Sequence, residues 1–210
     1  SWRVTDKLTV NYGLRWEGTF NPTPPNPNPA IPDTAQIPNS LDGWQPRLGF
    51  AYAPNAKSVA RLSAGLFNSR TPTLLFFNPF TSAGLPGQGV FFFPGFNGEL
   101  DGIWPNVFPG LPEGVSADQE IYWFSPDFRE ARTLRINAGY EQEIFENFSL
   151  GGSYVYAGAK RLQMLYDNNL VDGGIDQFGR RIYNGRFVSG QEWRIDRSTG
   201  WSNYHAFIVE

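Results

Sequence analysis

From Leu8 to Trp16 every second residue is apolar. Leu8, Val10, Tyr12, Leu14 and Trp16 occupy one phase; Thr9, Asn11, Gly13, Arg15 and Glu17 occupy the other. Side chains of an extended chain point alternately to opposite faces, so a period of two builds a strand with one apolar and one polar face, which a helix of period 3.6 cannot do. The segment extends over residues 8–20, about twice the five or six residues usual for soluble strands and close to the 9–11 that a tilted strand needs to cross a bilayer.

The pattern returns five times. Residues 44–53 place Leu48, Phe50 and Tyr52 against Arg47, Gly49 and Ala51; residues 58–68 place Ala60, Leu62, Ala64 and Leu66 against Arg61, Ser63, Gly65 and Phe67. Residues 131–144 set Leu134, Ile136, Ala138 and Tyr140 opposite Arg135, Asn137, Gly139 and Glu141. Residues 148–158 carry Leu150, Tyr154 and Tyr156 in one phase, and a sixth strand begins at Trp201 within 201–210. The connections alternate between short and long. Tight turns fall at Thr5-Asp6-Lys7, Pro54-Asn55-Ala56-Lys57 and Phe145-Glu146-Asn147, and long loops occupy 21–43, 69–130 and 159–200. Proline crowds the first loop, which keeps it out of any sheet because proline has no amide donor. Aromatic residues at 16%, with 23 glycines and 17 prolines, fit an all-β chain rich in turns.

Short turns alternating with long loops are the arrangement of transmembrane barrels, whose periplasmic turns are tight and whose external loops are extended. The charges agree: Arg15, Glu17, Arg47, Arg61, Arg135 and Glu141 all stand in the polar phase. A charge facing lipid at mid-membrane costs about 2–4 kcal/mol, so these six are expected to line the lumen. Trp16, Trp44, Tyr52, Tyr140 and Tyr156 would form the aromatic girdles at the two interfaces. A soluble β-sandwich also alternates apolar with polar residues, and it stands as the competing fold. There is no signal peptide at Ser1 and no run of about 18 apolar residues that could form a membrane helix. Both ends lie inside a strand pattern, so the chain is expected to be a segment of a longer barrel.

Several stretches resemble the TonB-dependent outer-membrane receptors, in particular their Oar-like branch, whose members carry a carboxypeptidase-regulatory-like domain. Trp2-Arg3-Val4-Thr5-Asp6-Lys7-Leu8-Thr9-Val10-Asn11-Tyr12-Gly13-Leu14-Arg15-Trp16-Glu17 is similar to a hairpin of that family. Trp44-Gln45-Pro46-Arg47-Leu48-Gly49-Phe50-Ala51-Tyr52 resembles the strand that follows, residues 61–70 the next, and Ser198-Thr199-Gly200-Trp201-Ser202-Asn203-Tyr204-His205-Ala206 the opening of a later one. Ala206-Phe207 departs from the alanine–leucine usual there. The resemblance implies about six antiparallel strands of a 22-stranded barrel with a plugged lumen. It also implies an outer-membrane location, contact with lipid and with the rest of the barrel and its plug, and energy supplied through the TonB complex. Nothing in the chain corresponds to the plug itself.

Catalytic chemistry finds little support. His205 is the sole histidine and cysteine is absent, which removes a histidine-based triad within the chain and most zinc and iron–sulfur sites. No glycine-rich phosphate cradle is present, and the net charge of −3 gives no basic surface for nucleic acid. The chain is therefore read as neither an enzyme nor the holder of a cofactor or metal. The oxygen-rich run at 167–176 lacks calcium-loop spacing and reads as turn chemistry. Glu113, Asp118, Glu120 and Asp127 are acids that any loop of that length would hold. The loop 69–130 is more informative, with Phe91-Phe92-Phe93, Trp104 and Tyr122-Trp123-Phe124. Trp104, Tyr122, Trp123 and Phe124 are candidate contacts for a ligand, a carbohydrate or greasy polymer by their chemistry. Their alternative role is a small aromatic core that the loops build above the barrel. Three functions follow: a receptor that imports a ligand, an anchored structural or adhesive surface protein, and a soluble carbohydrate-binding β-domain.

Overall fold

A computed structural model describes residues 1–85 and 119–210, which form ten strands. They are β1 Trp2–Arg3, β2 Leu8–Thr19, β3 Ser40–Asn55, β4 Ser58–Ser69, β5 Gln119–Phe124, β6 Ala131–Phe145, β7 Phe148–Asp167, β8 Leu170–Ile175, β9 Arg181–Arg186 and β10 Gln191–Val209. Eight join one sheet in the order β1-β2-β3-β4-β6-β7-β10-β5, and β8 and β9 form a separate hairpin. The expected all-β, antiparallel wall of six long strands is thus present as β2, β3, β4, β6, β7 and β10. The sheet is open.

The register keeps each phase on one face. Val10 pairs with Phe50, Phe50 with Leu62, Leu62 with Ala138 and Ala138 with Tyr154, while Asn11, Gly49, Ser63, Asn137 and Val155 share the opposite face. Side chains supply the turns. Thr5 Oγ1 accepts the Lys7 and Leu8 amides, Asn55 Oδ1 accepts the Lys57 amide, and Asn147 takes the left-handed conformation that asparagine tolerates. Each turn lies three residues deeper than the last. Leu8 pairs with Tyr52 and β3 runs on to Asn55; Ser58 pairs with Gln142 and β6 runs on to Phe145. This stagger is the tilt that a closing barrel requires.

The apolar face is open to its surroundings: Tyr12 is 71% exposed, Leu14 66% and Phe207 83%. The core lies elsewhere, in a cap above the long-loop end of the wall. Ile37, Phe124 and Phe128 pack with Leu75, Phe76 and Phe80, and Ile121, Trp123 and Ile195 pack with Ile31 and Trp193.

Three expected loops gain structure. In 159–200, β7 continues to Asp167 and β10 starts at Gln191, with the β8–β9 hairpin between them. Bulges conceal this in the sequence. Arg161 adopts φ 61°, and the β7–β10 register shifts between Arg197 and Gly200 and again before Trp201. Each slip moves the following residues to the other face, so the period of two breaks. In 69–130 the described part holds two short helical turns, Thr73–Phe76 and Phe77–Thr81, and β5, which runs parallel to β10. That parallel pair lies outside the pairings among the six long strands, which are all antiparallel. A strand delivered by a long connection can meet the open edge of β10 in either direction. In 21–43 the proline-rich coil holds a 3-10 turn at Pro32–Ala35, and β3 already begins at Ser40.

Candidate functional site: the polar face of the wall

The polar phase forms one side of the sheet, and its side chains fall into three tiers. At the loop end, Glu17 is the hub. Its Oε1 meets Arg15 Nη2 at 2.8 Å and Arg70 Nη2 at 3.0 Å, and its Oε2 accepts a hydrogen bond from Gln45 Nε2 at 2.7 Å. β2 and β3 bring Arg15 and Gln45 into register, and Arg70 arrives from just beyond β4. At the turn end, Arg61 Nη1 pairs with Glu141 Oε2 at 3.0 Å across β4 and β6, and Lys57 stands 3.8 Å from Glu143.

Between them the arrangement changes. Phe67 lies in the polar phase, flanked by the guanidinium carbons of Arg47, 4.7 Å from its ring centroid, and Arg135, 5.9 Å away. Cations held over an aromatic face are attracted by its quadrupole. Among the described residues neither arginine has a carboxylate within salt-bridge distance. Asn137 donates to Ser63 Oγ at 3.3 Å beside them. These side chains line a concavity of about 480 Å³ whose floor Gly13 and Gly49 keep shallow. The middle tier is therefore a positively charged recess with hydrogen-bonding edges, bounded by Glu17 and its two arginines at the loop end and by balanced ion pairs at the turn end. Chemically it can hold an anionic or hydroxyl-rich group, or receive carboxylates from another part of the protein.

All six residues read from the sequence as lumen-lining stand on this one face. Arg15 pairs with Glu17 and Arg61 with Glu141, while Arg47 and Arg135 meet through Phe67. Sequence reasoning missed Phe67, Gln45 and Arg70 as members. The signal for Phe67 was an aromatic in the wrong phase. Arg70 lay past the expected strand end.

The aromatic candidates are placed differently. Phe124 is 1% exposed, with Phe128 edge-on at 4.8 Å and Phe76 at 5.7 Å. Trp123 is also buried, against Ile121 and Ile195. A ligand could reach either ring only by displacing these neighbours, so their placement is that of a loop core. Tyr122 is half-buried; burial and its hydrogen bond to Glu120 Oε2 push its phenol up to about 12. Trp104 lies outside the described residues. Within 167–176, Asp167 Oδ1 accepts the Asn169 and Trp193 amides, Asp172 pairs with Arg181 and Asp176 with Arg180. His205 Nδ1 shares a 2.7 Å hydrogen bond with the Tyr154 hydroxyl on the apolar face. Among the described residues no group of histidine, cysteine, aspartate and glutamate could hold a metal ion, and no helix is long and apolar enough to cross a membrane.

Long tilted strands, an exposed apolar face, a charged opposite face and tight turns opposite long loops define the wall of a transmembrane β-barrel. The family model for an outer membrane beta barrel domain matches residues 1–210, and the chain belongs to that family. Its place is the bacterial outer membrane. A search of the curated proteins and a search of the solved structures each returned no match.

Proposed function

We propose that this chain forms part of the barrel of a TonB-dependent receptor of the Oar-like branch, which binds a ligand at the cell surface and imports it. The observation that carries this reading is the tiered charged face. A barrel that only anchors loops has no need of a cationic recess halfway along its lumen, whereas a transporter must hold a plug and pass a polar ligand there. The motifs around Trp2–Glu17, Trp44–Tyr52 and Ser198–Ala206 support the same reading. On this proposal the partners are outer-membrane lipid, the remainder of a 22-stranded barrel, its plug, the TonB complex and a surface ligand of carbohydrate or polymer character. Nucleic acid has no part, and no reaction is catalysed.

A second reading, an anchored structural or adhesive protein, draws on the external β8–β9 hairpin, where Ile175, Phe178 and Phe187 are about 70% exposed. The family's location removes the soluble carbohydrate-binding alternative. The two remaining readings separate on one experiment. The purified whole protein is titrated with the periplasmic domain of TonB, and import is then followed in cells with and without TonB. Saturable binding and TonB-dependent uptake support the receptor. No binding leaves the anchor.

A further inference from the structure

Counting from the tight turns gives each strand's height in the membrane. Trp44 stands eleven residues from Asn55, Leu134 eleven from Phe145 and Lys160 twelve from Phe148. At about 3.3 Å per residue these three share one height, that of the outer aromatic girdle, where Trp16 and Trp44 lie 6.3 Å apart. Arg132 pairs directly with Lys160, and Lys160 with Trp201, so all three side chains leave the wall on the apolar, lipid-contacting face. Arg161, displaced by its bulge, joins them.

The result is a concavity of about 500 Å³ on the outside of the barrel, lined by Arg132, Lys160, Arg161, Trp201, Tyr156 and Asn203 among others. Three cations converge there and one carboxylate, Asp42, answers them. Asp42 Oδ2 is held by Arg161 Nη1 at 2.7 Å, and its backbone carbonyl accepts from Arg132. The Arg132 Nε donates to Asn68 Oδ1 at 3.1 Å, which fixes that guanidinium against the wall. Lys160 is exposed and has no carboxylate partner among the described residues. Below them the Tyr156 hydroxyl donates to Asn203 Oδ1 at 3.1 Å.

We propose that this groove binds the phosphate-bearing headgroup of an outer-leaflet lipid. A single lysine at this height could simply reach for water. Three convergent cations with one carboxylate, held by Arg161, leave two positive charges over, which match one lipid phosphate. The groove opens directly onto the lipid-contacting surface below Trp201, so acyl chains continue down the wall from the bound head. Neighbouring hydrocarbon lowers the local dielectric and strengthens the attraction. The inference rests on the outer-membrane location and is independent of whether the barrel transports anything.

The test uses the whole protein in mild detergent, incubated with lipid A or with the same lipid stripped of its phosphates, and native mass spectrometry to count bound lipid. Heat-modifiable gel mobility confirms folding of every variant. The phosphorylated lipid should be retained and the stripped lipid lost. K160Q, which removes only an exposed charge, should weaken retention about fivefold, and K160E about tenfold or more. Lys7→Gln, at a periplasmic turn, should leave retention unchanged. Equal retention of the stripped lipid, or of lipid A by folded K160E, overturns the proposal. Displacement of lipid A by millimolar inorganic phosphate overturns the assignment to a lipid and leaves a free-anion site.

Discussion

The wall and the cap are made from the same kinds of residue and solve opposite problems. In the wall, Tyr12, Leu14 and Phe207 stand open on the sheet's apolar face. In the cap, Ile121, Phe124 and Thr34 are each at most 2% exposed. The wall borrows its apolar solvent from the membrane, so it needs strict alternation and long strands but no internal core. The cap stands in water and must bury its own aromatics, so it folds as a small globular layer with paired polar groups. Apolar area removed from water stabilises both, at about 25 cal/mol per Å². What differs is who covers it.

The difference can be broken from either side. The largest effect is expected for Phe124→Ala, which opens a cavity among Phe76, Phe80 and Phe128 and costs about 3–5 kcal/mol. Because the wall does not depend on that core, protease sensitivity of the loops should rise steeply while heat-modifiable mobility of the barrel persists. Loss of the barrel as well would show that cap and wall fold as one unit.

Leu48→Arg attacks the wall instead. Leu48 lies seven residues from the Asn55 turn, in mid-membrane on the lipid side. The arginine should cost about 2–4 kcal/mol and reduce assembled barrel in outer-membrane fractions. Ser63→Lys, on the lumen side at a similar height, should assemble normally. Normal assembly of Leu48→Arg with loss of Ser63→Lys would mean the faces are assigned the wrong way round.

Asn169 joins the two regions. Its fully buried side chain donates to the Val188 and Gln191 carbonyls, each at 2.7 Å, and accepts the Val188 amide. Asn169→Ala strands these groups at a cost of about 1–3 kcal/mol. Faster hydrogen exchange should appear in β8, β9 and the start of β10, and nowhere below Trp201.

The smallest effect tests the cap's electrostatics. Asp196 is buried, with Gln163 Nε2 donating to its Oδ1, and burial raises its carboxyl above the usual range. The native cap thus holds this proton more tightly than the unfolded chain. Its stability falls as pH rises through the raised value, and is greatest below the ordinary carboxylate value of 3.8. Asp196→Asn should slow exchange in β5 and the facing part of β10 at neutral pH. That advantage should vanish in acid. A variant that exchanges faster at pH 7 would show that the ionised carboxylate has a partner that holds the cap together.

Much of the wall was legible in the chain. Period-two alternation at Leu8–Trp16, Leu48–Tyr52 and Leu134–Tyr140 assigned the faces, and the six charges Arg15, Glu17, Arg47, Arg61, Arg135 and Glu141 followed from them, because a strand's geometry is local and its lipid solvent is uniform. The external parts were not legible. Bulges at Arg161 and after Arg197 hid the upper halves of β7 and β10, and the parallel pairing of β5 depends on which edge a long connection happens to meet. Trp123 and Phe124 looked the same in sequence whether covered or open; only Phe76, Phe128, Ile121 and Ile195, distant in the chain, decided that they are covered. Ion-pair choice was tertiary too. Nothing near Glu17 in sequence indicated Arg70, and nothing near Asp42 indicated Arg161. The sequence by itself determined which way each wall residue faces, since that follows from the bond geometry of an extended chain. The tertiary structure alone decided which of those residues meet, since that depends on register, bulges and the long loops that bring distant strands together.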